Sequence, residues 1–128
     1  MDKKILVIDD NKSILTIIRH WLAGAGYEVA VTEHPKLGLK MARWEEYDLI
    51  ILDVMMEEMN GLEVLECLRA EEATREVPVM IITAASLFRS ISSETKEMFD
   101  DFLAKPFHKD DLLEKVEQAL LSRSIAVG

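Results

Sequence analysis

Asp9 and Asp10, Asp53, Thr83 and Lys105 each stand directly after a short apolar run, at residues 5–8, 49–52, 79–82 and 102–104. In a parallel sheet, ligands bind beyond the carboxyl ends of the strands, so residues following such runs are the ones placed to do chemistry. Three carboxylates converging on one point raise one another's pKa and repel, and a single lysine ammonium cannot neutralise them. A divalent cation can. Oxygen-only ligands of this kind favour Mg²⁺, which takes one or two carboxylates, keeps waters and shares its remaining positions with phosphate. The histidines, His20, His34 and His108, show no ligand spacing. A hard cation, an ammonium and a hydroxyl around one carboxylate suit phosphoryl transfer, with Asp53 as the nucleophile.

The elements that must position these groups are legible in the hydrophobic pattern. Five runs, the four above and residues 27–31, are mostly rich in Val, Ile or Leu without polar alternation, as strands buried on both faces are. Helical spacing lies between them. Ile14, Ile17, Ile18, Trp21 and Leu22 predict a first helix with Asn11 as N-cap, ending near Gly24 and Gly26. Pro35 opens a second that carries Leu37, Met41 and Trp44, and a third follows Gly61 through Leu62, Leu65 and Leu68. Residues 84–100 give only a ragged stripe, Leu87, Phe88, Ile91 and Met98 among serines, and read as a mobile fourth helix. A last helix is expected from about Lys109 to Ser122, with Asp110 and Asp111 in its first turn, Arg123 just past its end, and Leu112, Val116, Ala119 and Leu120 as its buried stripe. Strand and helix thus alternate five times. The expected fold is α/β, a doubly wound parallel sheet with helices on both faces and right-handed crossovers.

Composition narrows the function classes. At 128 residues and 49% hydrophobic, the chain suits one compact domain, 1–128. Its formal charge of −9 repels nucleic-acid phosphates and anionic lipid, so neither direct nucleic-acid binding nor membrane association is expected. The lone Cys67, set among Leu62, Leu65 and Leu68, allows no intramolecular disulfide and fits a cytoplasmic setting. The start, with only a handful of apolar residues before Asp9, is too short for a signal peptide or a membrane span.

Ile8-Asp9-Asp10-Asn11, Leu52-Asp53-Val54-Met55-Met56, Asn60-Gly61, Thr83-Ala84 and Lys105-Pro106-Phe107 resemble, in order and spacing, the signature of two-component response-regulator receiver domains. The resemblance covers nearly the whole chain. It implies the flavodoxin-like strand order 2-1-3-4-5 and a phosphoryl group accepted on Asp53 from a phosphohistidine on a sensor histidine kinase or phosphotransfer protein, or from a small donor. Asp10 and Asp53 would then bind Mg²⁺ directly, Asp9 largely through water, and Met55 through its backbone carbonyl. Lys105 would contact a phosphoryl oxygen. Thr83 would move to the phosphoryl group and vacate space for Phe102, switching an output face built from the fourth helix, fifth strand and fifth helix. That face would control a downstream protein or attached effector, with a homodimer on activation as one form of output. Such a chain is a phosphoacceptor switch, not an enzyme, and catalyses only its own phosphorylation and dephosphorylation.

Two departures stand out. Relatives usually have Pro where this chain has Glu57, which predicts a looser or differently turned loop after Asp53. Met55 and Ala85 stand where relatives often carry polar side chains that position or block water, so fast autodephosphorylation is not expected.

Blander readings compete for each residue. Asp9 and Asp10 alone could be a helix cap with a solvated neighbour, Thr83 a strand end, Lys105 a structural ion pair, and Phe102 core. Trp21, Trp44 and the seven Met read as packing, although Met55, Met56 and Met59 cluster beside the site. A phosphorylation-independent receiver-like interaction module is the main alternative. An aspartyl-phosphate hydrolase would want a second Asp where Met55 stands, and no Gly-rich nucleotide loop is present. A free-standing regulator and the receiver portion of a longer protein would read alike.

Overall fold

The computed structural model describes the backbone of residues 2–127 and the side chains through residue 121. Five strands, β1 (Lys4–Ile8), β2 (Glu28–Thr32), β3 (Leu49–Asp53), β4 (Val79–Ala84) and β5 (Asp101–Lys105), pair in parallel in the order β2-β1-β3-β4-β5. The doubly wound α/β sheet is therefore as expected, and each strand lies within two residues of the apolar run that announced it. The central strands β1, β3 and β4 are buried on both faces, which is why their runs show no polar alternation. Edge strands β2 and β5 are only partly covered.

Helices α1 (Lys12–Gly24), α2 (Pro35–Trp44), α3 (Gly61–Ala70), α4 (Ala85–Ser90), α5 (Ser93–Lys96) and α6 (Lys109–Val127) complete the chain. Alternate strand residues feed two cores. Ile5, Val7, Ile51 and Ile82 pack with Leu15, Ile18 and Leu22 of α1 and Leu112 and Val116 of α6. Leu6, Ile8, Ile50, Leu52 and Ile81 pack with Leu39 of α2 and Val64, Leu65 and Leu68 of α3 on the other face.

Several expectations need correction. In α1, Ile17 points outward at 45% exposure and Leu15 is buried instead, while Asn11 caps the helix as predicted, its side chain accepting from the Ile14 amide at 3.1 Å. In α2 the buried face is Pro35, Gly38, Leu39 and Ala42, so Leu37 and Trp44 are exposed and Trp44 is not a packing residue. Gly38 lets the helix come close to the sheet, because a Cβ there would lie 2.5 Å from the Ile8 side chain and force it to shift. The single fourth helix is two short ones, broken at Ile91 and Ser92, the latter capping α5 by accepting from Thr95 at 3.2 Å. The last helix is therefore the sixth. It runs on to Val127, so Arg123 lies within it; that residue's side chain and Gly128 lie outside the described residues. Its buried stripe is the predicted Leu112, Val116, Ala119 and Leu120.

Candidate functional site

Sheet register alone gathers the candidate residues. Ile8 pairs with Leu52, so Asp9 and Asp53 emerge side by side at the ends of β1 and β3. Asp53 pairs with Ile82, placing Thr83 one residue further along the adjacent strand, and Ala84 in turn pairs with Lys105. All therefore lie at the carboxyl edge of the sheet, where the reading of the sequence put them.

The side chains converge. Lys105 Nζ lies 3.3 Å from Asp9 Oδ2 and 3.4 Å from Asp53 Oδ2. Asp9, Asp10 and Asp53 each offer a carboxylate oxygen within 4.8 Å of the others; Asp9 and Asp53 are buried and Asp10 is exposed. Local amides hold each acid in place. Asn11 donates to Asp9 Oδ1 at 3.0 Å, Met55 to Asp53 Oδ1 at 3.4 Å, and Glu57 to Asp10 Oδ2 at 3.0 Å. The last bond is one that proline, lacking an N–H, cannot make. Glu57 thus ties its loop to Asp10, a contact that the expectation of a looser or differently turned loop did not include.

One ammonium against three carboxylates leaves the pocket short of positive charge. Burial and the neighbouring Asp9 push the Asp53 carboxyl up to about 6, against the opposing pull of Lys105 and the Met55 amide. Thr83 Oγ1 is buried and has no hydrogen-bond partner among the described residues, a rare and costly state for a hydroxyl. Oxygen-only donors, one of them exposed for access, fit a small hard cation such as Mg²⁺. An unpaired donor nearby suits an incoming anion.

Gly61 supports this edge from below. Its amide donates to the Val54 carbonyl at 2.9 Å, and a Cβ there would collide with the Asp53 carbonyl oxygen and lie 2.7 Å from Val54 Cα. The start of α3, capped by Asn60 accepting from the Leu62 amide at 2.6 Å, can therefore press directly on the backbone of the candidate nucleophile.

Phe102 pairs with Ile81, two residues before Thr83, so Phe102 and Thr83 project to the same face of the sheet. Its half-buried ring stacks on Phe88 of α4, with centroids 3.9 Å apart and planes inclined 22°. Phe99 meets Phe88 edge-on at 6.3 Å, and Lys96 Nζ sits 4.4 Å above the Phe88 ring. The sequence reading missed this cluster, although Phe88 was visible as an aromatic in the ragged stripe. Met55 lies at the rim, its side chain 62% exposed.

The family model described as response regulator receiver domain matches residues 5–117. The alkaline phosphatase synthesis transcriptional regulatory protein PhoP of Bacillus subtilis is 36% identical over 124 residues, 97% of this chain and 50% of that relative. The chain spans about half the length, or less, of the curated relatives it matches. Among solved structures, the response regulator TrrA from Thermotoga maritima, in complex with Mg²⁺-BeF, is 34% identical with a TM-score of 0.82, covering 92% of this chain and 99% of that one. The receiver domain of a sensor histidine kinase from Pseudomonas aeruginosa, with a magnesium ion coordinated in its active-site cleft, is 27% identical with a TM-score of 0.84, covering 94% and 98%.

Proposed function

Because this chain belongs to the response regulator receiver domain family, we propose that it is a phosphoacceptor switch: Asp53 takes a phosphoryl group from a phosphohistidine of a sensor kinase or phosphotransfer protein, or from a small donor. The observation that carries this reading is the joint placement of Lys105 within 3.4 Å of both buried acids and of an unpartnered hydroxyl, Thr83, on the neighbouring strand. Asp9, Asp10, Asp53 and the Met55 carbonyl are the groups that would hold Mg²⁺. When bound, the ion supplies charge neutralisation to the pocket and to phosphoryl oxygens.

The remaining work falls to the chain's own residues. An Asp53 oxygen attacks phosphorus in line, the donor's N–P or O–P bond breaks, and the imidazole or carboxylate leaves. Lys105 presents its ammonium to one phosphoryl oxygen, and Thr83 gains the acceptor its buried hydroxyl lacks. Movement of Thr83 changes the space open to Phe102 on the same face, and so biases the α4, α5, β5 and α6 surface toward a downstream protein or effector domain. The donor protein has a foothold beside Lys105, an apolar groove lined by Ile14, Ile17, Trp21, Pro106 and Phe107. Among the described residues no helix is long and apolar enough to cross a membrane, and we place the switch in the cytoplasm with its kinase. Residues 1–128 act as one receiver unit.

Incubation with Mg²⁺ and acetyl phosphate followed by intact-mass measurement tests this directly. One phosphoryl adduct is expected, absent in Asp53→Asn and in chelator. An unchanged mass would favour the phosphorylation-independent interaction module, and turnover of small phosphoesters would favour a hydrolase. With Met55 and Ala85 offering no strong side-chain hydrogen bond to water, the adduct should outlive that of the Met55→Asn, Ala85→Glu variant; a shorter half-life would refute this.

A further inference from the structure

Helix α2 turns Pro35, Gly38, Leu39 and Ala42 to the core, yet its outward arc is also apolar. Trp44 is 73% exposed and Leu37 is 41% exposed, with Met41, half-buried because it packs in part against the core, between them at spacings of four and three. One face of a helix repeats at this spacing, so the three form a continuous stripe. Lys36 and Lys40, one turn apart, run beside it, and among the described residues neither has an ion pair or side-chain hydrogen bond. The next cation in the row, Arg43, is already held by Glu71 at 2.8 Å. Single exposed apolar side chains need no explanation, but a tryptophan and a leucine in register beside two unpaired lysines form a surface with both an apolar and an electrostatic demand.

Charge decides what can satisfy it. A two-fold contact with a second copy presents the same patch to itself, lysines included, between chains that each carry −9. An anionic bilayer would attract the two lysines and repel the rest of the molecule, much of it within a Debye length of the surface. A helix of another protein can set carboxylates against the lysine row alone and lay its own apolar side over the stripe. We propose that the outward face of α2 docks an acidic amphipathic helix of a partner protein, its apolar side over Leu37, Met41 and Trp44 and its carboxylates against Lys36 and Lys40. Glu45, directly after Trp44, pairs with Lys4 at the start of β1 at 3.5 Å, so Trp44 sits at the end of the sheet opposite the acidic pocket. The face runs from there back to Lys36 and Leu37 just past the end of β2, but it shares no residue with the phosphoacceptor site, and either reading can fail without the other.

The chain has two tryptophans, so emission from a Trp21→Phe background reports Trp44 alone. The probes are two synthetic helices of about five turns with the same leucine stripe, one flanked by glutamates and one by lysines, and vesicles with and without anionic lipid. The glutamate helix should shift Trp44 emission to the blue saturably. Its affinity should fall about tenfold or more in the Lys36→Glu, Lys40→Glu variant, which should still take up phosphoryl from acetyl phosphate. Equal binding of both helices, no binding of either, a blue shift on vesicles but not on the glutamate helix, or self-association by sedimentation that the Trp44→Ala change abolishes would each overturn the proposal.

Discussion

Asp53 is held in a pocket that works against its own folded stability. Its folded-state pKa, about 6, lies above the ordinary value of 3.8, chiefly because it is buried and secondly because Asp9 faces it. Between those two values the folded chain binds more protons than the unfolded one, so stability falls as pH rises through that window, and the full cost is present above it. Two units correspond to about 3 kcal/mol, and a value on the order of 1–3 is the reasonable expectation. Replacing Asp53 by Asn, which carries no charge, should therefore raise unfolding free energy by that amount at about pH 7.5 in chelator, and by little near pH 4. Urea denaturation of both proteins at the two pH values measures this. An advantage of the same size at both would show that shape, not charge, is responsible. Thr83 adds a second unmet demand, since its buried hydroxyl has no hydrogen-bond partner among the described residues.

The segment joining Thr83 to Phe102 is built of pieces too short to be stable alone. Helix α4 has six residues and α5 has four, well below the length at which an isolated helix holds. What fixes them is tertiary: Phe88 stacked on Phe102, Phe99 against Phe88, and Arg69 donating to the Met98 carbonyl at 2.7 Å. Such aromatic pairs contribute about 0.5–1.5 kcal/mol beyond their buried area. Phe88→Ala should therefore speed amide exchange across residues 85–97 by roughly fivefold or more, while the amides of β1 and β3 keep their protection. Uniform acceleration would mean that Phe88 belongs to the global core and not to a local, switchable unit. The same segment shows where sequence pattern stops being informative. Strands β1, β3 and β4 were readable to within two residues because burial on both faces removes every polar interruption. Helix α2 was legible from its start at Pro35, but which of its residues face the core was not. Leu37 and Trp44 share a helical repeat with Met41 yet are exposed, while the core face is Pro35, Gly38, Leu39 and Ala42 with Met41 at its edge, and hydropathy does not reveal the close approach of Gly38 to the sheet. The α4–α5 break at Ile91 and Ser92 carried no proline or glycine to announce it.

At the scale of the whole molecule, the site and the net charge act in the same direction. A chain of formal charge −9 repels itself, and three of its carboxylates are concentrated at one end of the sheet around a single lysine. Any cation screens the first effect, but only one that the pocket can hold relieves the second. The candidate residues were legible because register converts sequence position into proximity: a residue after each apolar run must lie at the same edge. Partner amides such as that of Glu57 were not, since nothing in residue type marks a backbone donor. The two electrostatic effects separate experimentally. Ligand binding to the folded state alone adds RT ln(1 + [L]/Kd), about 2.7 kcal/mol at a hundredfold excess over Kd, which for a domain of this size raises Tm by about 10 °C. Sodium chloride at matched ionic strength should give the smaller, unsaturable rise of general screening. The difference between the two salts should vanish in Asp10→Asn, Asp53→Asn, a protein that keeps the rest of its surface charge. Scanning calorimetry in Mg²⁺ and in matched sodium chloride decides it: if the double variant still distinguishes the salts, the cation is held elsewhere on the acidic surface, and Asp9, Asp10 and Asp53 are a reservoir of repulsion without a metal to balance it.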